Sequence, residues 1–561
     1  MTDIRRERNV PTVTNLADQI SPMPIASGER IPGDRVGGRF SMSRGAWIAF
    51  VAALLAFIIL ALILAATRPP QSDEGHFANA GAALAFQGRF IMPMWTSWIP
   101  TLDQRVYSNM PLYFLALAAW FKIFGVSWLV FRALSVVFGA VLVVSLIVVL
   151  QSVSTDRRAV VAGLVLVAFN YDIINLSSAR YDVMIAALSM SGLAVYLVLR
   201  ERSLDKALFG ANSLLAAACL THPFALFGMV GLAIFVLTLD FRRLRTRHIV
   251  ASVVPYFVAL AAWGIYIAQD PGMFRAQFGE NARGRLGVNS GLLEILRMEF
   301  RERYLSHFAG WRPGVPAAMR TKTLLLVAYC VGIVGCVAMR AIRRNPFARA
   351  LVIYTVTSIV LLALVDNNRW YIYLIYVLPL LALCLALVAG EWEREGGWRR
   401  WSVRVGLAAY ALFAIASVGY RARLDVHHGA FLPAVRYLQA HVRDGDTVMA
   451  GGEFGLGLGF ERHVVDDPRF GYLSGKTPEF LVLSTERSDL LQSMVAVDPA
   501  FRQFIDDILA HYRLVFESSA GSASYRIWAR QGRPNADNTQ QRQPTLTAFS
   551  AFEDLGPVGL R

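Results

Sequence analysis

The chain has 561 residues, 55% of them hydrophobic and only 17% charged, with a mean hydropathy of +0.44 and a formal net charge of +15. A soluble domain of this length is far more polar, so an ordinary cytosolic enzyme is excluded. The positive charge gathers as arginines in short loops between alternate apolar runs, which is the positive-inside pattern of a membrane protein and not a nucleic-acid patch.

Residues 1–44 are rich in Arg, Pro, Gly and Asp and have no apolar period, so they read as a disordered cytoplasmic tail. The run "WIAFVAALLAFIILALILAAT" predicts a first span over 46–66, too deep in the chain and too long for a cleaved signal peptide. The stretch Arg68-Pro-Pro-Gln-Ser-Asp-Glu-Gly-His-Phe77 follows at once and puts two adjacent carboxylates at the membrane exit. Ser72 reads there as the N-cap of a helix reaching about Phe86, with Asp73 and Glu74 in its first turn. Residues 111–125 are apolar but short, which predicts an interfacial or re-entrant helix.

Further spans are predicted over 128–150, 159–174, 183–199, 207–220, 223–239, 249–268, 323–339, 350–365, 371–390 and 403–420, eleven in all with the first. The even-numbered spans end in arginine-rich loops, so the amino terminus lies inside and the carboxyl terminus outside. Two long loops, 67–127 with its juxtamembrane helices and 269–320, then face outward within a membrane domain over 45–422. The Arg and Glu of "EILRMEFRERYLSHF" predict an amphipathic helix on the membrane, which could also gate a groove. The four cysteines, Cys219, Cys330, Cys336 and Cys384, all fall in apolar runs and read as small buried hydrophobes.

Residues 423–530 differ in kind and predict a small outer α/β domain. Strands are expected in "DTVMAGG", "PEFLVLST", "YRLVFESS" and "ASYRIWAR", and helices in "FLPAVRYLQAHV" and "PAFRQFIDDILAHY". "GGEFGLGLGF" lacks the P-loop pattern and "SGKT" lacks the preceding glycine of a Walker motif, so both read as turns. Residues 531–561 read as a disordered tail, and no internal repeat is evident.

This topology gathers Asp73, Glu74, His76, Arg105, Arg180, Asp182, His222 and Arg369 on the outer face. Displacing a sugar from a lipid phosphate needs a carboxylate within about 2.6–3.2 Å of the acceptor hydroxyl to take its proton. It also needs cations, preferably Arg, for the departing phosphate, and a greasy groove for the lipid. Each residue has a plainer reading as well. The acid pair can be a solvated helix start, and Arg180 can simply pair with Asp182. His222 can cap the next helix before its proline. Arg369 can anchor an aromatic belt with Trp370, Tyr371 and Tyr373.

The segment "QSDEGHFANAGAALAFQGRFIMPMW" resembles the first outer loop of the polytopic GT-C glycosyltransferases, in their protein O-mannosyltransferase-like and lipid A aminoarabinose transferase-like branches. The resemblance rests on Asp73-Glu74, Gly88 and Pro93, then on Pro111-Leu112-Tyr113, Phe124-Gly125-Val126 and Arg132, and further on Arg180, Asp182 and Pro379. It runs over roughly 45–390. It implies a GT-C membrane fold in a bacterial inner membrane. It also implies inverting transfer from a polyprenyl-phosphate-linked sugar to a lipid, glycan or protein acceptor on the outer face. In that frame Asp73 is the base and Glu74 supports it or orients the acceptor. Arg105, Arg180 and Arg369 are phosphate candidates, and His76, Tyr113, Asp182 and His222 line the substrates. No metal or cofactor is expected, the lipid-linked sugar being a co-substrate, and no nucleic acid. Asn109 and Met110 stand where the aminoarabinose branch has Lys and Pro, and His76 stands where many members have Tyr. Two competing readings are a lipid-linked-sugar flippase or transporter, and a non-catalytic envelope assembly protein acting through the outer domain.

Overall fold

Each of the eleven apolar runs is helical in the computed structural model, which describes residues 44–95, 99, 101–178, 180–283, 291–312, 315, 317–460 and 464–532. The two tails expected to be disordered lie outside these residues, apart from Arg44, Gln531 and Gly532 at their junctions. Helix α1 (Arg44–Thr67) stops at Arg68-Pro69-Pro70, where prolines deny the helix its next donors. Helix α2 (Ser72–Gln87) follows, closed by Gly88 at φ +66°. Helix α3 (Leu112–Phe124) is the short apolar segment, 13 residues long.

The bundle continues with α4 (Trp128–Val153), α5 (Arg157–Ala168), α6 (Tyr171–Leu176), α7 (Asp182–Leu199) and α8 (Leu204–Cys219). A 3₁₀ turn at Pro223–Ala225 leads into α9 (Leu226–Leu239), then α10 (Thr246–Ile267). The long stretch over 269–320 carries α11 (Pro271–Arg283), α12 (Leu292–Glu299) and a wide π-type turn over Phe300–Phe308. Helices α13 (Lys322–Ala338), α14 (Arg340–Arg343), α15 (Pro346–Val365), α16 (Leu378–Glu395) and α17 (Gly397–Leu424) complete it.

Seven of these helices are long and apolar enough to cross a membrane. The other four expected spans fall on the shorter α5, α8 and α9 and on a 3₁₀ stretch, Tyr371–Tyr376, followed by α16. The spans differ in depth. In α7, 72% of the apolar window is buried within the protein, against 11% in α10, so α7 is central and α10 faces lipid. The 269–320 stretch does more than lie on the surface. Its Arg303 is fully buried and pairs with Glu299 at 2.5 Å and Asp366 at 3.0 Å. The cysteines divide: Cys336 and Cys384 are buried as expected, Cys219 is half-buried, and Cys330 is exposed.

The carboxyl-terminal domain starts with α18 (Leu432–His441). It continues through β1 (Val448–Met449), α19 (Glu453–Leu458), β2 (Val464–Val465), β3 (Phe480–Ser484), α20 (Thr485–Val497), α21 (Pro499–Ala510), β4 (Tyr512–Ala520) and β5 (Ala523–Arg530). The strand order is β2-β1-β3-β5-β4, with β2, β1 and β3 parallel and β5 antiparallel to both β3 and β4. Leu481 and Leu483 of β3 pack with Leu491, Phe501, Ile505 and Leu509 from α20 and α21. Two elements depart from expectation. Residues 453–458, expected as a turn, form α19, and α20 forms over a segment with no helical expectation, capped by the Ser484 hydroxyl on the Arg487 N–H. The loop after α2 joins this sheet through a parallel bridge between Trp95 and Asp466.

Candidate active site

Neighbouring residues on an α-helix point about 100° apart. At the start of α2 that rotation sends the two adjacent carboxylates to different surroundings. Glu74 is fully buried, accepting from Arg132 Nε at 2.8 Å and from Arg68 Nη2 at 3.2 Å. Arg132, itself fully buried, also donates to the carbonyl oxygens of Ala65, Arg68 and Pro69 at 2.6, 3.2 and 3.2 Å. It thereby satisfies the carboxyl end of α1 that the two prolines leave open, and Glu74 balances its charge.

Asp73 turns the other way. Its side chain is 39% exposed, and its Oδ2 lies 2.5 Å from Arg180 Nη1. Arg180 Nε donates to Asp182 Oδ2 at 3.0 Å, and Tyr376 Oη donates to Asp182 Oδ1 at 3.3 Å. The Arg180 backbone sits at φ +83°, a region that costs a non-glycine residue energy, and the Ser135 hydroxyl holds its carbonyl at 2.9 Å. Its guanidinium lies over Phe77 and Tyr181, 5.6 and 5.8 Å from the ring centres. Asp73 is thus the reachable acid, beside a cation fixed from four directions.

The carboxyl-terminal domain meets the same helix. Residues following the carboxyl ends of its three parallel strands converge on α2: Gly452 and Glu453 after β1, Asp466 after β2, and Glu486 and Arg487 after β3. That edge is where open α/β sheets place ligands. Asp466 Oδ2 accepts from Ser72 Oγ at 2.7 Å, lies 2.8 Å from His76 Nε2, and accepts the Gly452 N–H at 2.8 Å. Arg487 pairs with its other oxygen. Ser72 therefore does not cap its own helix as expected, because a charged acceptor from another domain takes its hydroxyl. A Cβ on Gly75 would lie 1.9 Å from the Gly452 carbonyl oxygen, so this contact needs both glycines.

Burial disfavours ionised Asp466, yet Arg487, then His76 and Ser72, outweigh it and hold the carboxyl well below the usual range. Glu486 keeps an open face, but the surrounding protein desolvates it, and the charge of Asp73 adds to that in raising its carboxyl. Glu453 is buried. Burial, then Glu486 and Asp466, push it up to about 8.

An acid raised in the folded state stabilises fully below its unfolded value, near 4.5, and that contribution is lost as pH rises through about 8. Glu453→Gln is therefore expected to flatten the fall in melting temperature of the full-length protein between pH 5.5 and 8.5. It should leave the variant more stable than wild type at the upper end. An unchanged pH profile would remove Glu453 from this balance.

The remaining candidates separate into two groups. Tyr113 packs edge-on to Phe77 and tilted against Tyr181, and His222 lies 5.5 Å from the Tyr181 ring. Both thus stand behind Arg180. His222 Nδ1 accepts the Phe224 N–H at 3.2 Å, so it also caps the 3₁₀ turn. Arg105 instead bonds the Tyr107 hydroxyl at 3.2 Å and lies over Tyr266 of α10, neither of them a partner of Asp73. Arg369, at φ +51°, pairs with Glu302 at 3.1 Å. Among the described residues, no three His, Cys, Asp or Glu side chains converge as metal ligands. Sequence reasoning missed Arg68, Tyr376, Asp466, Glu486 and Arg487. The one signal for Asp466 was an acidic pair directly after a β-branched Val-Val in "VVDDPR".

The helices define a multi-pass membrane protein, and its fold is that of the GT-C glycosyltransferases. It is similar to the crystal structure of ArnT from Cupriavidus metallidurans bound to undecaprenyl phosphate, at 14% identity and a TM-score of 0.55, covering 87% of this chain and 98% of that one. It is also similar to the Archaeoglobus fulgidus oligosaccharyltransferase tethered with an acceptor peptide, at 12% identity and a TM-score of 0.54, covering 84% and 73%. No family model matches the chain, and no curated protein does.

Proposed function

We propose that this chain transfers a sugar from a polyprenyl-phosphate carrier to a hydroxyl acceptor, with inversion, at the membrane face that carries Asp73. The single observation behind this reading is the arrangement of Asp73. It is a partly exposed carboxylate fixed by an arginine in strained backbone, at the start of a helix that two domains clamp. ArnT, crystallised with undecaprenyl phosphate, has the same fold, which supports the lipid carrier.

In this scheme Asp73 takes the proton of the acceptor hydroxyl. The acceptor oxygen attacks the anomeric carbon from the face opposite the phosphate. The bond from that carbon to the phosphate oxygen breaks, and the polyprenyl phosphate leaves with the electron pair. Arg180 is the nearest guanidinium for the charge that develops there, with Arg68 behind it on Glu74. Glu74, buried with both oxygens in ion pairs, positions α2 and does not touch the acceptor. The outer domain completes the site through Asp466.

The direct test compares lipid-linked sugars and envelope glycans by mass spectrometry in cells carrying wild type or Asp73→Asn. Accumulation of a lipid-linked sugar and loss of one glycan modification are expected in the variant. Identical profiles would overturn the reading. Sidedness has its own test. A phosphatase reporter fused after Arg530 is expected to be active outside the cytoplasm of a bacterial host, and a cytoplasmic signal would reverse the topology.

A further inference from the structure

A cavity of about 520 Å³ opens between the start of α8 and the start of α10, lined by Arg202, Arg242, Arg243, Arg245, Arg247 and Asp205. It lies at the far end of the bundle from Asp73. Helix α7 joins the two ends, with Asp182 against Arg180 at one and Arg200 at the other, and its 18 residues span about 27 Å.

The five arginines are not equivalent. Arg243 is balanced by Asp240 at 2.8 Å and Glu201 at 3.2 Å, and Arg247 reaches Asp205 at 3.4 Å. Arg202, Arg242 and Arg245 have exposed side chains and no carboxylate partner among the described residues. The imidazole of His248 is already committed, to the Arg245 N–H at 3.0 Å and to Asp205 at 3.2 Å. Three uncompensated guanidiniums around one cavity call for an anion. Their planar forks match phosphate oxygens. The amino-terminal ends of α8 and α10, helices of 16 and 22 residues, add to the positive field.

The flanks decide what carries the phosphate. Leu237 and Phe241 on one side are 57% and 64% exposed, and Ile249 and Val250 on the other are 59% and 55% exposed. No protein covers them, and they continue the lipid-facing surface of α10. The cavity thus sits where headgroups meet acyl chains.

We infer that this cavity binds the phosphate headgroup of an anionic phospholipid, with the acyl chains lying along Phe241 and α10. The site is remote from Asp73, and its test does not depend on any transferase activity.

The full-length protein in neutral detergent is titrated with phosphatidylglycerol and, separately, with phosphatidylcholine of the same chains, bound lipid being read by native mass spectrometry. A third arm adds inorganic phosphate alone. Wild type is expected to favour phosphatidylglycerol at least tenfold. Arg202→Gln/Arg242→Gln/Arg245→Gln should weaken that binding roughly a hundredfold, at about fivefold per lost surface cation. The corresponding triple Lys variant should keep most of it. If the triple Gln variant does not fold, the three single variants carry the same test, each at about threefold to tenfold. Equal binding of both lipids, or a preference surviving in the Gln variants, overturns the inference. So does inorganic phosphate binding as tightly as the lipid, which would make this a free-anion site.

Discussion

Asp73→Asn is expected to cut sugar transfer by about 10²–10⁴-fold, the usual worth of a positioned general base. Protein level and membrane insertion should stay unchanged. Geometry separates the chemical effect from a folding one. Asp73 is partly exposed, so losing its ion pair is worth about 1 kcal/mol or less. Arg180 does not become an orphan, because Asp182 still holds its Nε at 3.0 Å. The amide keeps the size and hydrogen-bonding shape of the acid but cannot take a proton. The measurement is transfer in membranes from cells making each variant, with melting temperature as control. Activity within tenfold of wild type would remove Asp73 from the mechanism.

Asp466→Ala is expected to lose about 3–5 kcal/mol of stability, since it strands Arg487 as a buried cation without its counter-charge. It also releases Ser72, His76 and the Gly452 N–H at once. The start of α2 should then shift, and with it Asp73, so the turnover number should fall while donor affinity changes little. A 1 Å misplacement suffices for a loss of about 10²-fold. The double variant Asp466→Asn/Arg487→Met is the discriminating partner. With the cation gone, the amide can still accept from Ser72, and a substantial part of the stability should return. A melting temperature for Asp466→Ala equal to wild type would show that the clamp carries no weight.

The contrast between Asp73 and Glu74 shows how far sequence reasoning reached. Their adjacency at a membrane exit singled out the start of α2 as the candidate site. Nothing in the pair says which acid is reachable, because that depends on where Arg132 and Arg180 arrive from α4 and from the loop before α7. Arg180 and Asp182 could be linked to each other by spacing alone. Linking them to Asp73 takes the packing of segments 107 residues apart. Arg105 and Arg369 share the predicted face with Asp73 but are committed to Tyr107 and Glu302. A face assignment is far coarser than a hydrogen bond.

The carboxyl-terminal domain was the least legible part. The segments that form β1, β3, β4 and β5 were expected as strands, whereas β2 has only two residues and carries almost no pattern. That unforeseen strand is the one whose carboxyl end delivers Asp466. Gly75 and Gly452 look like ordinary helix and loop glycines until their backbones are seen in contact.

The sequence by itself determined that this is a membrane protein. It placed the apolar helices and the proline break after α1, and it put acids at the start of α2. Those features depend on the local hydrophobic period and backbone sterics, which a short window of residues contains in full. The tertiary structure alone decided which carboxylate is buried, which arginine holds the other, and that a second domain closes over the helix. Burial and ion pairing depend on distances between residues as much as 394 apart in the chain, and no local pattern encodes those.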